Sequence, residues 1–273
     1  PPTAWCFTPD FQRLQSGDYA FYLSGGGALA SLEKKGATAF RSHNGVMGVE
    51  LFLGDGPVAL RKSVSVEKTA YGICFAYETE SPPSLKIEIL YRTGSAQESA
   101  RLTREVTVSS PVKLDSELTV RIPLAPFRLS DKTWLPCKNG VGAPLENEKT
   151  AAYKFAGVLR SDGVPLAVPM VSFESKELGE RCTIVADPYF STLFGRDFLE
   201  WTYPKSIGLE GGRERRSVSL IFHSGTPDES LAEFFRTALS DVPPGPAWLH
   251  DVAMVDYDYL SDGGQGWFRD IDA

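Results

Sequence analysis

The sequence predicts a mainly β protein: a large antiparallel β-sandwich, one C-terminal connecting helix, and the first strand of a truncated β/α domain. Three observations carry this. Period-two alternation recurs through residues 1–225, turn-forming clusters punctuate it, and convincing helical periodicity is confined to one stretch beginning at Thr226. With 273 residues, 42% apolar and 23% charged, the chain can bury a substantial core and has an ordinary globular composition.

The strands come first. Ser63-Val-Ser-Val-Glu67, Lys86-Ile-Glu-Ile-Leu-Tyr91, Arg104-Glu-Val-Thr-Val108 and Glu117-Leu-Thr-Val-Arg-Ile122 each set alternate apolar residues on one face. Half-buried antiparallel strands require that pattern. Tyr71-Gly-Ile-Cys-Phe-Ala-Tyr77 and Leu166-Ala-Val-Pro-Met-Val-Ser-Phe173 are more continuously apolar, so both their faces are expected to be covered. Pro169, which has no N–H for a ladder, is expected at an edge or bulge. Turn chemistry falls between the runs at Gly25-Gly-Gly27, His43-Asn-Gly45, Gly54-Asp-Gly56, Ser81-Pro-Pro83, Ser161-Asp-Gly163 and Glu210-Gly-Gly212. Many short strands without an internal repeat indicate a sandwich or barrel.

The helix follows. Thr226-Pro-Asp-Glu229 reads as a capping box, with Thr226 as N-cap, Pro227 at the first helical position and Glu229 at the third. Leu231, Phe234, Phe235, Ala238 and Leu239 recur at the spacing of one buried stripe, and Asp241-Val-Pro-Pro-Gly-Pro246 forbids continuation. The expected domains are a sandwich over 1–225, a connecting helix and proline-rich linker over 226–246, and the first strand and loop of an incomplete β/α barrel over 247–273.

In that last unit, Asp251-Val-Ala-Met-Val-Asp-Tyr-Asp-Tyr-Leu260 reads as a strand. Val252, Met254, Asp256 and Asp258 share one face, apolar at its start and acidic at its end. Acids at the C-terminal end of a barrel strand point into the mouth where chemistry occurs. Trp267, in the loop Ser261-Asp-Gly-Gly-Gln-Gly-Trp267, offers a broad apolar face to a sugar ring. Asp256, Asp258 and Trp267 are therefore the candidate substrate-binding residues. Solvated strand-end acids and a packed indole are the plainer readings, and the residues alone leave both open. The glycine loop lacks G-x-G-x-x-G spacing and a Walker lysine, so phosphate binding is not expected.

Elsewhere the signals are mostly exclusions. Net charge is -7, from 35 acidic and 28 basic residues, against a nucleic-acid-binding surface. The cluster Arg213-Glu-Arg-Arg216 reads as the solvated start of a strand. No apolar run reaches the roughly 18–20 residues of a membrane span. Cys6, Cys74, Cys137 and Cys182 include no C-x-x-C pair; Cys74 and Cys182 read as buried free thiols. No metal or cofactor is expected. His43, His223 and His250, without a G-x-S-x-G elbow, give a nucleophilic triad little support, and His223 reads as a hydrogen-bonded strand-end histidine. Asp187-Pro-Tyr-Phe190, Phe194-Gly-Arg-Asp197, Trp201 and Tyr203 form an aromatic-rich region, read as a domain interface in preference to a saccharide site. No catalytic residue is assigned, and the compartment is left open. The chain begins Pro-Pro without Met and ends one strand into its last unit, which reads as the front end of something longer.

This order resembles glycoside hydrolases that carry an N-terminal galactose-mutarotase-like supersandwich ahead of a (β/α)8 catalytic barrel. The segments bearing the resemblance are Arg104-Glu-Val-Thr-Val108 with the following strand to Leu124, Ala186-Asp-Pro-Tyr-Phe190, the helix over 226–239, and residues 252–267. The resemblance is architectural. It implies a sandwich that packs on the barrel, shapes one side of the substrate cleft and seldom supplies the catalytic acid or nucleophile. It also implies that Asp256 and Asp258 bind sugar hydroxyls, and that the partners are carbohydrate and, through residues 226–273, the barrel or another chain. Glycoside hydrolysis generally uses two carboxyl groups flanking the bond, which one strand does not provide, so this chain alone is expected to be inactive. Two other readings stand beside it. A stand-alone carbohydrate-binding module would set Trp134, Trp201 and Trp267 in one shallow groove. An aldose mutarotase or epimerase would need an acid/base pair built on His43 or His223.

Overall fold

The computed structural model describes residues 11–41, 47–61, 64–70, 72–96, 99–124, 133–134, 136–137, 140–141, 152–155, 164–166, 168–175, 180–195, 198–207 and 213–238. The first strands are β1 (Gln12–Ser16), β2 (Tyr19–Leu23), β3 (Leu29–Lys34), β4 (Ala37–Arg41), β5 (Glu50–Leu53), β6 (Gly56–Val58) and β7 (Ser65–Thr69). There follow β8 (Gly72–Glu78), β9 (Lys86–Ala96), β10 (Ser99–Ser109), β11 (Leu118–Pro123), β12 (Thr133–Trp134), β13 (Pro136–Cys137) and β14 (Gly140–Val141). The remainder are β15 (Ala152–Phe155), β16 (Val164–Pro165), β17 (Met170–Ser175), β18 (Glu180–Ala186), β19 (Thr192–Gly195), β20 (Phe198–Tyr203), β21 (Arg213–His223) and the helix α1 (Pro227–Ala238).

These strands form a mainly antiparallel β-sandwich. An eight-stranded sheet runs β12-β17-β18-β21-β10-β9-β8-β7 and a seven-stranded sheet runs β16-β15-β19-β20-β11-β5-β6. A four-stranded meander, β1 to β4, and the pair β13-β14 complete it. Only β15 and β16 pair in parallel among the described residues.

Side-chain alternation explains where the core lies. Leu102, Val106 and Val108 of β10, Ile87, Ile89 and Tyr91 of β9, and Val218, Leu220 and Phe222 of β21 are buried on one face of the large sheet. They share one core with Val120 and Ile122 of β11 and Leu199 and Trp201 of β20. The meander joins it: Tyr19 stacks on Phe222 with ring centroids 5.6 Å apart, and Phe21 lies 5.9 Å from the same ring. The opposite face of β9, β10 and β21 carries charge. Glu105 there meets Arg92 and Arg215 from the strands on either side. Such partly exposed pairs contribute little individually, about 0–1 kcal/mol.

Two strands differ from expectation. β7 is exposed along its length, with Val66 at 40% exposure, because it is the sheet's edge and has no covering layer. β8 alternates between buried and half-buried residues, so only its inward face is sealed. β17, in contrast, is buried on both faces through Phe173, since α1 packs against β17 and β18. Pro169 precedes β17, and its carbonyl accepts the amide of Ala186 at 2.9 Å.

The capping box forms. The Thr226 amide donates to the Glu229 carboxylate, and the Glu229 amide donates to Thr226 Oγ1 at 3.4 Å. Phe234 and Leu231 pack with Met170, Val185 and Ile221 in a second, smaller apolar cluster. Burying the Phe234 side chain contributes roughly 1.5–3 kcal/mol. Phe235 is 48% exposed, so the expected stripe is corrected. Among the described side chains of α1 the sealed positions are Ser230, Glu233 and Phe234, because part of the sheet beneath the helix is polar. Ala238 closes the described helix, and residues 239–273 lie outside the described residues. No helix among the described residues is long and apolar enough to cross a membrane.

Candidate functional site

Asp256, Asp258 and Trp267, the candidate substrate-binding residues, lie outside the described residues, as do His43 and His250. Within the described sandwich, polar chemistry collects at two places, one on each face of the eight-stranded sheet.

The outward centre sits beneath α1. Thr183 of β18, Ser172 of β17, His223 of β21 and Ser230 of α1 converge, three of them fully buried and His223 6% exposed. Oγ1 of Thr183 is 2.9 Å from His223 Nε2, and Ser230 Oγ is 3.3 Å from the same nitrogen. Ser172 and Ser230 are 2.8 Å apart. The Gly225 amide donates to His223 Nδ1 at 3.2 Å, so Nδ1 is the acceptor and the ring proton resides on Nε2. An Nε2–H cannot take a proton from Ser230. The group resembles a serine–histidine pair but has the wrong tautomer for a general base, and it is sealed from substrate. Burial, above all, lowers the His223 pKa and favours the neutral ring. Glu233, also buried, pairs with Arg236 one turn along the helix. The expectation of a hydrogen-bonded strand-end histidine agrees with this geometry.

The inward centre is built on β8, β9 and β10. The Tyr77 hydroxyl donates to the carbonyl of Gly26 at 3.0 Å, and that of Tyr91 donates to the carbonyl of Gly27 at 2.5 Å. Both phenols clasp the turn between β2 and β3, where Gly27 has φ +79°. A Cβ at Gly27 would lie 2.0 Å from the Tyr77 hydroxyl. Arg104 is 1% exposed, its guanidinium 5.5 Å from the centroid of Tyr91, and its Nη1 donates to the Pro123 carbonyl at 2.8 Å. Burial raises the Tyr77 and Tyr91 hydroxyls and the Cys182 thiol above their ordinary pKa values. Cys182 and the half-buried Cys74 are free thiols.

The aromatic-rich region is corrected by the structure. Phe194, Trp201 and Tyr203 are fully buried core residues, and Trp201 Nε1 donates to Thr192 Oγ1 at 3.0 Å. They fill the sandwich instead of lining an interface or groove, because alternation on β20 turns Trp201 and Tyr203 inward with Leu199. Tyr189, at the turn, is 76% exposed. The basic cluster is corrected in part. Arg213 and Arg215 are exposed and pair with Glu88 and Glu105, but Arg216 points inward. Its guanidinium lies 3.8 Å from the Tyr203 ring centroid and 4.4 Å from that of Phe190. Nη1 donates to the Thr202 carbonyl at 3.1 Å, and Nη2 pairs with Glu214 at 3.1 Å. Among the described residues no group of three or more His, Cys, Asp or Glu side chains could hold a metal ion.

No protein-family model matches the chain, and no curated protein matches it. Solved structures do. An α-N-acetylgalactosaminidase from Bifidobacterium bifidum matches at 14% identity and TM-score 0.52, over 84% of this chain and 39% of that one. A galactose mutarotase-like protein from Lactobacillus casei matches at 11% identity and TM-score 0.45, over 78% of this chain and 100% of that one. A 4-α-glucanotransferase from Thermococcus litoralis matches at 7% identity and TM-score 0.44, over 80% and 38%. The chain thus spans about two fifths of the galactosaminidase. The fold it shares with the matched part of that enzyme is a large, mainly antiparallel β-sandwich.

Proposed function

We propose that this chain is the non-catalytic sandwich of a glycoside hydrolase-like, carbohydrate-active protein, packing on and shaping the cleft of a catalytic barrel. The observation that carries the reading is the state of His223. A mutarotase or epimerase needs an accessible acid/base pair. The imidazole of the described sandwich instead has both nitrogens engaged and lies beneath α1. The match to 39% of an α-N-acetylgalactosaminidase supports a sandwich that forms one part of a larger enzyme. Asp256, Asp258 and Trp267 remain the proposed sugar-binding residues, and residues 226–273 the proposed junction with the barrel or another chain. Burial of Trp201 weighs against a carbohydrate-binding groove that would include it.

Two measurements test the reading. Polarimetry on the intact chain is expected to show galactose and glucose anomerising at the spontaneous rate, and acceleration would reinstate the epimerase. The reading frame downstream of Ala273 is expected to encode about seven further β/α units with Asp or Glu at strand ends. A stop codon directly after Ala273 would remove the barrel.

A further inference from the structure

Two arginines are buried among the described residues, and they are treated differently. Arg216 has a carboxylate partner in Glu214. Arg104, diagonal to it across β10 and β21, has none among the described residues. Its Nη1 has a neutral acceptor in the Pro123 carbonyl, whereas Nε and Nη2 are buried without an acceptor. Among the described residues, the groups around the charge are neutral as well. Tyr91 offers its ring face, the Tyr77 and Tyr91 hydroxyls are spent on glycine carbonyls, and Cys182 is a buried thiol. A guanidinium keeps its proton in proteins, and a buried charge without a counter-charge is strongly unfavourable.

Nε and Nη2 share one edge of the guanidinium, so their N–H groups diverge little and form a two-pronged cradle for a single acceptor. The cradle carries one unit of charge and is sealed from solvent, with Arg104 only 1% exposed. Those constraints select a small monovalent ion over a sugar, a phosphate or a dianion. We propose that Arg104 holds a halide-sized anion, chloride under ordinary conditions, inside the sandwich as its structural counter-charge.

The test uses the intact chain. At fixed ionic strength, replacing sodium gluconate by sodium chloride or bromide is expected to raise the Tm along a saturating curve, by roughly 3–6 °C at tenfold above half-saturation. In Arg104→Met the halide dependence is expected to vanish. If that variant does not fold, crystals of the unaltered chain grown in bromide decide the matter. An anomalous peak within hydrogen-bonding reach of Nε and Nη2 supports the proposal. A water molecule or one of the chain's own carboxylates at that position overturns it, as does a Tm indifferent to halide.

Discussion

Nε2 of His223 donates to Oγ1 of Thr183 across 2.9 Å while Nδ1 accepts the Gly225 amide, so one ring ties β21 to β18 and to the residues leading into α1. Protonation would add a proton at Nδ1, facing the Gly225 N–H. The charged groups facing the ring from the packed elements are Glu229, Glu233 and Arg236 of α1 and Arg181 of β18. Burial outweighs them and lowers the folded pKa below the ordinary 6.5. The unfolded chain therefore binds the proton more readily than the folded one. This stability is present above about pH 6.5 and is lost as pH falls towards the lowered folded value, at up to about 1.4 kcal/mol per pH unit. Thermal unfolding between pH 8 and 5 should show that slope, and His223→Gln should flatten it.

The reciprocal cap at Thr226 and Glu229 secures the only α-helix among the described residues. Thr226→Ala is expected to cost about 1 kcal/mol, while Thr226→Ser retains most of the stability. Urea denaturation of the three proteins measures it, and equal midpoints would refute a contribution from the cap.

Gly27 is held in a left-handed conformation directly beneath Tyr77. Gly27→Ala is expected to destabilise by more than 2 kcal/mol, from a strained φ and a collision with the hydroxyl. Tyr77→Phe should cost about 1 kcal/mol by removing the bond to the Gly26 carbonyl. Chemical denaturation separates the two, and an unchanged Gly27→Ala midpoint would contradict the close packing.

Trp201 is a core residue, and its replacement should behave accordingly. Trp201→Phe is expected to lose about 1–3 kcal/mol, through lost volume and the broken bond to Thr192. Titration calorimetry with N-acetylgalactosamine should give the same result for variant and parent. A selective loss of binding would mean that the indole reaches ligand.

Much of the fold was legible in the sequence because alternation and capping are local. The segments around Ile89, Val106 and Val120 became strands in the expected phase, and Thr226 and Glu229 closed the helix they announced. What remained hidden depended on neighbours distant along the chain. Phe235 fits an apolar stripe by spacing, yet Ser230 takes the buried position because Ser172, Thr183 and His223 present hydroxyls and an imidazole to it. Trp201 read as part of a domain interface because sequence gives no sign of which layer covers β20. Arg104 did leave a trace. It occupies the same phase as Val106 and Val108, so a charge stood at an apolar position of the alternation.

The order of the large sheet has a consequence for synthesis of the chain. Its fourth strand, β21, is the last made of the eight, and it lies between the β12-β17-β18 block and the β10-β9-β8-β7 block. Until residues 213–223 leave the ribosome, those blocks have no common edge, and Tyr19 and Phe21 lack the Phe222 ring on which they stack. Closure is therefore a late event of high contact order, and the nascent chain must keep two open sheet edges from straying until the keystone arrives.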